Sequence, residues 1–114
     1  MAIVAWDSGY RKTLTILSGQ TVSADVLDLA GLGARRVWSM MFRSPATLPE
    51  TVTLEVAENA AGTFEPYQSG GVDIVLAVGE STPVTDVIAG ALRLVAGAAV
   101  GADRVFSLTG NARA

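Results

Sequence analysis

The chain contains no cysteine and no histidine. Without cysteine there can be no structural disulfide, no thiolate-bound zinc and no thiol nucleophile. Without histidine the commonest general base is missing, and a Ser-His-Asp triad is ruled out. Charge is scarce as well: 17% of the 114 residues are charged, with eight basic against eleven acidic residues and a net charge of -3. The basic residues adjoin one another only at Arg11-Lys12 and Arg35-Arg36. That falls short of the positive stripe that neutralises nucleic-acid phosphates. Aromatics amount to 6% and are scattered, so no base-stacking platform is visible. Long hydrophobic runs are missing too. Met1 to Trp6 is short and has no basic region before it, so it is not expected to act as a signal peptide. Ile88 to Gly101 is broken by Arg93 and by glycines, and is not expected to span a membrane.

Half of the residues are apolar. A chain this apolar and this poor in charge is not intrinsically disordered, and its length suits one domain with a real core. The low charge leaves two readings open. Either part of the surface is covered by copies of the chain or by a partner, or the surface is rich in Thr, Ser and Gly.

The apolar residues recur with the two-residue period of strands, in short bursts ended by Gly, Ser, Asn or Pro. Leu14 to Leu29 reads as a strand, a Ser18-Gly19-Gln20 turn and a second strand, with the two strands expected to pair as a hairpin. A change of phase at Leu27 predicts a bulge or bend. Arg36 to Phe42 puts Trp38, Met40 and Phe42 on one face and Val37, Ser39 and Met41 on the other, as in a central strand covered on both sides. Thr51 to Ala57 alternates most cleanly, and Pro66 marks the next strand as an edge. Val72 to Val78 reads as one strand with Val72, Ile74, Leu76 and Val78 inward, and Gly79 to Pro83 as a break. Leu92 and Leu94 flank Arg93 in another strand, and Arg104 to Thr109 closes the domain with Phe106 and Leu108 on one face.

Short strands at intervals of about ten residues, with no helical period between them, predict a small all-β antiparallel sandwich, jelly-roll-like or related. Its expected core is Leu14, Ile16, Val52, Leu54, Val56, Ile74, Leu76, Leu92, Leu94 and Phe106. Residues 1–10 are expected to form a short N-terminal arm and residues 11–114 the sandwich domain.

Chemistry is sparse. Glu55 with Glu58, and Asp25 with Asp28, are the nearest carboxylate pairs, and they read as solvated side chains. No DxDxG loop is present to gather calcium ligands. Ser69-Gly70-Gly71 lacks the lysine and helix of a phosphate cradle and reads as a turn. No catalytic residue, metal site or cofactor is expected. The aromatic and sulfur-bearing residues are the better candidates, because such side chains are enriched in interfaces. Trp6, Tyr10, Trp38, Met40, Phe42 and Tyr67 are the candidate interface residues.

LTILSGQTVSADVLDLAGL followed by RVWSMMF, Val52 to Val56 followed by ENAAGTFEPY, and the closing AGALRLVAG and RVFSLTG occur in one order. In that order they resemble the small β-sandwich virion structural proteins of tailed bacteriophages, over residues 12 to 110. The resemblance implies a non-enzymatic virion component. A capsid decoration or cement protein on the head surface is the leading expectation. Its partners would be the major capsid protein and copies of itself, with no nucleic acid, membrane or small-molecule substrate. A neck, tail or fibre-base protein is the alternative, and a carbohydrate-binding module a more distant one. No functional residues are carried over.

Overall fold

A computed structural model describes residues 10–29, 37–87 and 89–113. The described residues form eleven strands and no helix: β1 (Tyr10–Ile16), β2 (Leu27–Asp28), β3 (Val37–Arg43), β4 (Val52–Ala57), β5 (Glu65–Pro66), β6 (Gln68–Ser69), β7 (Val72–Asp73), β8 (Val75–Leu76), β9 (Ser81–Val87), β10 (Ala91–Ala96) and β11 (Arg104–Arg113). Two antiparallel sheets pack as a sandwich. The first has the order β1-β11-β3-β9. The second has the order β2-β10-β4-β5, with β8 also pairing β4, and β6 and β7 form a small separate ribbon.

Alternation decides which side chains go inside. Leu14 and Ile16 of β1, Phe42 of β3, and Phe106 and Leu108 of β11 are buried from the first sheet. Val52 and Leu54 of β4 meet them from the second, with Leu92 and Leu94 of β10. Eight of the ten expected core residues are buried; Val56 and Ile74 are half-buried and pack against the core. Strands β4, β10 and β11 fall where the alternation places them, and Pro66 lies in an edge strand.

The expected hairpin of Leu14 to Leu29 does not form. The turn is there: Gly19 takes a φ of 82°, and the Gln20 amide donates to the Leu17 carbonyl at 2.9 Å. However, β1 pairs along its whole length with β11, from Tyr10 opposite Gly110 to Ile16 opposite Arg104. After the turn the chain crosses to the other sheet, where Val22 bridges Val95 and Leu27 lies opposite Leu92. The Gly19 amide bonds the Val100 carbonyl at 2.8 Å, and the Val100 amide bonds the Gln20 carbonyl at 3.1 Å. These bonds tie the turn to the β10–β11 loop. Ser23 then anchors the crossing. Its hydroxyl donates to the Asp25 carbonyl at 2.8 Å and accepts from the Leu94 amide at 3.1 Å.

Two further expectations change. Val72 to Val78 is two short strands rather than one. Asp73 pairs with Gln68 across the Gly70-Gly71 turn, whereas Val75 pairs with Thr53 of β4. Only Leu76 of the expected inward set is buried, while Val72 is 68% exposed. Pro83, expected in a break, lies within β9 opposite Met41. It is tolerated there because β9 is an edge strand, with one side free of ladder bonds. Of the expected arm, residues 1–9 lie outside the described residues, and Tyr10 opens β1.

Candidate functional site

Three of the candidate interface residues belong to the core of the chain itself. Trp38 is 3% exposed, Met40 4% and Phe42 0%. Strand β3 lies between β11 and β9, and its larger side chains fill the space between the sheets. They therefore offer no surface to a partner, which corrects the expectation drawn from their chemistry. Tyr67 is half-buried and packs against the core. Trp6 lies outside the described residues, and Tyr10 is placed by its backbone alone, opposite Gly110.

Among the described residues the outer faces of the two sheets offer regular exposed surfaces. Antiparallel partners share a face, so the register gives each face row by row. On the first sheet one row is Arg11, Thr109, Met41 and Pro83; the next is Thr13, Ser107, Arg43 and Ser81; the third is Thr15 and Val105. Met41 is 40% exposed and Val105 47%. No carboxylate stands in these rows, and among the described residues the Arg43 guanidinium reaches only the Ser81 hydroxyl, at 3.5 Å. These rows are rich in hydroxyls and basic. Arg11, Met41 and Arg43 are not among the six interface residues expected from the sequence. Their signal was parity: Met41 and Arg43 alternate with the buried Met40 and Phe42.

The second sheet carries a different outer face. Val22, Val95, Thr53 and Val75 form one row, and Arg93, Glu55 and Pro66 the next. Arg93 donates to Glu55 through Nε at 2.8 Å, and its guanidinium carbon lies 4.3 Å from the centroid of the Phe64 ring. The pair neutralises itself, so these two rows carry no net charge. Phe64 is half-buried beneath Arg93 on this side.

A second pair closes the loop before β4. Arg104 grips the Glu50 carboxylate at both oxygens, Nε to Oε1 at 2.9 Å and Nη2 to Oε2 at 3.2 Å. This two-point hydrogen bond holds the Glu50 carboxyl below its ordinary value of 4.5, against the opposing push of partial burial. A carboxyl depressed in the folded state stabilises the fold above its unfolded pKa. That contribution is lost as pH falls through the folded pKa. Acidification below about pH 4.5 is therefore expected to lower the urea midpoint of the natural chain more than that of Glu50→Gln. Parallel pH profiles of the two would contradict this.

One buried hydroxyl stands out by contrast with Ser23. Ser44 is 3% exposed, and its Oγ has no hydrogen-bond partner among the described residues. A buried hydroxyl without a partner costs desolvation with no return. Ser44→Ala is expected to leave stability unchanged or raise it by about 1 kcal/mol in chemical unfolding. A loss of that size would show that the hydroxyl is bonded in solution.

Among the described residues no group of three or more Asp, Glu, His or Cys side chains is placed to hold a metal ion. The nearest carboxylate pairs do not assemble a site: Glu55 faces Arg93, and the Asp25 carboxylate lies 3.4 Å from the Thr15 amide. No protein-family model matches the chain, and no curated protein matches it in sequence. The outer faces are therefore read from their own chemistry.

Proposed function

We propose that the chain is a jelly-roll structural protein of a tailed-bacteriophage virion, acting without catalysis as a decoration or cement protein on the outer face of the capsid lattice. The observation that carries this reading is the strand order. With the interrupted stretch from β5 to β8 counted as one strand, the sheets run first-eighth-third-sixth and second-seventh-fourth-fifth. That order supports the reading as two Greek keys wrapped into a jelly roll, an architecture recurrent in viral capsid proteins, lectins and cupins. Fold alone does not choose among these. A cupin site is built on histidines, and the chain has none. The lectin reading needs an exposed aromatic platform, and among the described residues Trp38 is buried and Tyr67 packs against the core, while Trp6 lies outside them. A structural role needs only surfaces, and the two outer faces supply them. The resemblance of the strand segments to virion sandwich proteins points the same way.

Such a protein works by interface physics repeated over a lattice. Specific protein interfaces bury about 800 Å² per partner, and a surface of that size on each joint opposes separation of shell subunits. The test is sedimentation. Purified chain is mixed with heads of the phage that carries it, after the heads have been depleted of it. The chain is expected to pellet with the heads and to saturate at a fixed ratio to shell subunits. Chain that stays in the supernatant at every concentration contradicts the proposal.

A further inference from the structure

The arginines whose side chains are described divide into two groups. Arg93 and Arg104 are each paired with a carboxylate, Glu55 and Glu50. Among the described residues Arg11 and Arg43 have no carboxylate partner, although the chain as a whole is acidic at -3. Both lie on the outer face of the first sheet, Arg11 on β1 and Arg43 on β3, with β11 between them. Adjacent strands are about 4.8 Å apart and alternate residues about 6.8 Å apart. Arg11 and Arg43 therefore stand about 12 Å from one another along a diagonal of the sheet. Met41 sits in the row of Arg11 and two residues from Arg43, and it is one of the few large apolar side chains left exposed.

We infer that this face docks an acidic protein surface and that the partner is the capsid shell rather than a second copy of the chain. The inference rests on the proposed function and adds to it the face that makes the contact and the charge of what it meets. Charge complementarity selects the occupant. The three rows, with two unpaired guanidiniums and no carboxylate among them, repel a copy of themselves laid against them, face to face. A carboxylate-bearing surface satisfies both guanidiniums, which can bond carboxylates through two parallel N–H groups. Arginine and methionine are also the residue types enriched where proteins meet. Thr13 and Ser107, in the row of Arg43, supply short hydroxyls that leave the face flat enough for close approach. The outer face of the second sheet lacks this signature, because its arginine is neutralised by Glu55.

The inference is tested by the same head-binding measurement with two altered chains. Arg11→Glu combined with Arg43→Glu reverses the face and touches no buried residue. Val75→Glu places one charge on the other sheet, at a side chain that is 51% exposed. Both are first checked for an unchanged unfolding midpoint. The double variant is expected to bind depleted heads about tenfold or more weakly, and the binding of the natural chain to weaken as salt rises. The Val75→Glu chain is expected to bind like the natural one. If the double variant binds undiminished while the natural chain binds, the docking face is wrong and the virion function stands. Loss of binding in Val75→Glu alone moves the contact to the second sheet and overturns the inference. Self-association of the natural chain that the double variant abolishes would make the partner a second copy and overturn it too. Equal capture by double-stranded DNA, lost in the double variant, would make the anion a nucleic acid with the same consequence. If the natural chain does not bind heads at all, the function and the inference fall together.

Discussion

Replacing Phe106 with alanine is expected to cost about 3–5 kcal/mol of folding free energy, the range for removing a buried phenylalanine. The side chain is fully buried on β11, opposite Leu14 of β1. Strand β11 lies between β1 and β3, so a cavity there forms in the middle of the first sheet's inner face. Neighbours on both sides are fixed by ladders and cannot collapse into the space without giving up pairing. Domains of this size are stable by only about 5–15 kcal/mol, so the loss takes a large share of the total. Urea unfolding measures it, with the slope expected to hold while the midpoint falls. Val105→Ala is the control: its side chain is 47% exposed on the outer face, and it should change stability little. A small effect at Phe106 would place that side chain outside the core.

Gly90→Ala is expected to be nearly as damaging, for a different reason. A methyl group on Gly90 would lie 1.5 Å from the Glu58 carbonyl oxygen and 2.3 Å from its carbon. The obstacle is main chain, so no side-chain rotation relieves it. The Gly90 amide also donates to the Ala57 carbonyl at 2.9 Å, and the β10–β4 ladder begins at the next residue, with Ala91 opposite Ala57. Admitting the methyl means separating these segments at the start of the ladder. Overpacking in well-packed sites costs about 1–3 kcal/mol, and the upper end is expected here. Gly101→Ala is the matched control, because nothing lies within 4 Å of its added methyl group. Equal stability of the two variants would mean that Glu58 and Gly90 do not approach so closely.

Local alternation carried a good part of this fold. Val52 and Leu54, Leu92 and Leu94, and Phe106 and Leu108 each share an inner face, because side chains on a strand alternate whatever the partner. The identity of the partner is another matter. The ladder of β1 with β11 joins the two ends of the described chain, and nothing in LTILSGQTVSADVLDL distinguishes that pairing from a local hairpin. The same limit explains β3. Both of its faces are apolar in sequence, and only the neighbours decide that Trp38, Met40 and Phe42 fill the core while Met41 faces out. In Val72 to Val78 the apolar pattern is real, but the Gly70-Gly71 turn and the Gln68–Asp73 pairing draw its first part away from the sandwich. The basic face was hidden for a related reason. Arg11 and Arg43 become neighbours across β11 only once the sheet order is known.

The proposal joins these levels. A crossing chain builds two sheets, the sheets bury the bulky side chains, and what remains outside is one basic hydroxyl-rich face and one self-neutralised face. Under the proposed function the chain belongs to a phage particle, and a cryo-electron-microscopy map of that intact particle is the most direct test. The account predicts a two-sheet domain on the outer surface of the head, repeated with the shell lattice, with Arg11 and Arg43 turned toward shell carboxylates. A particle whose head surface lacks the domain, or holds it by the opposite sheet, would contradict it.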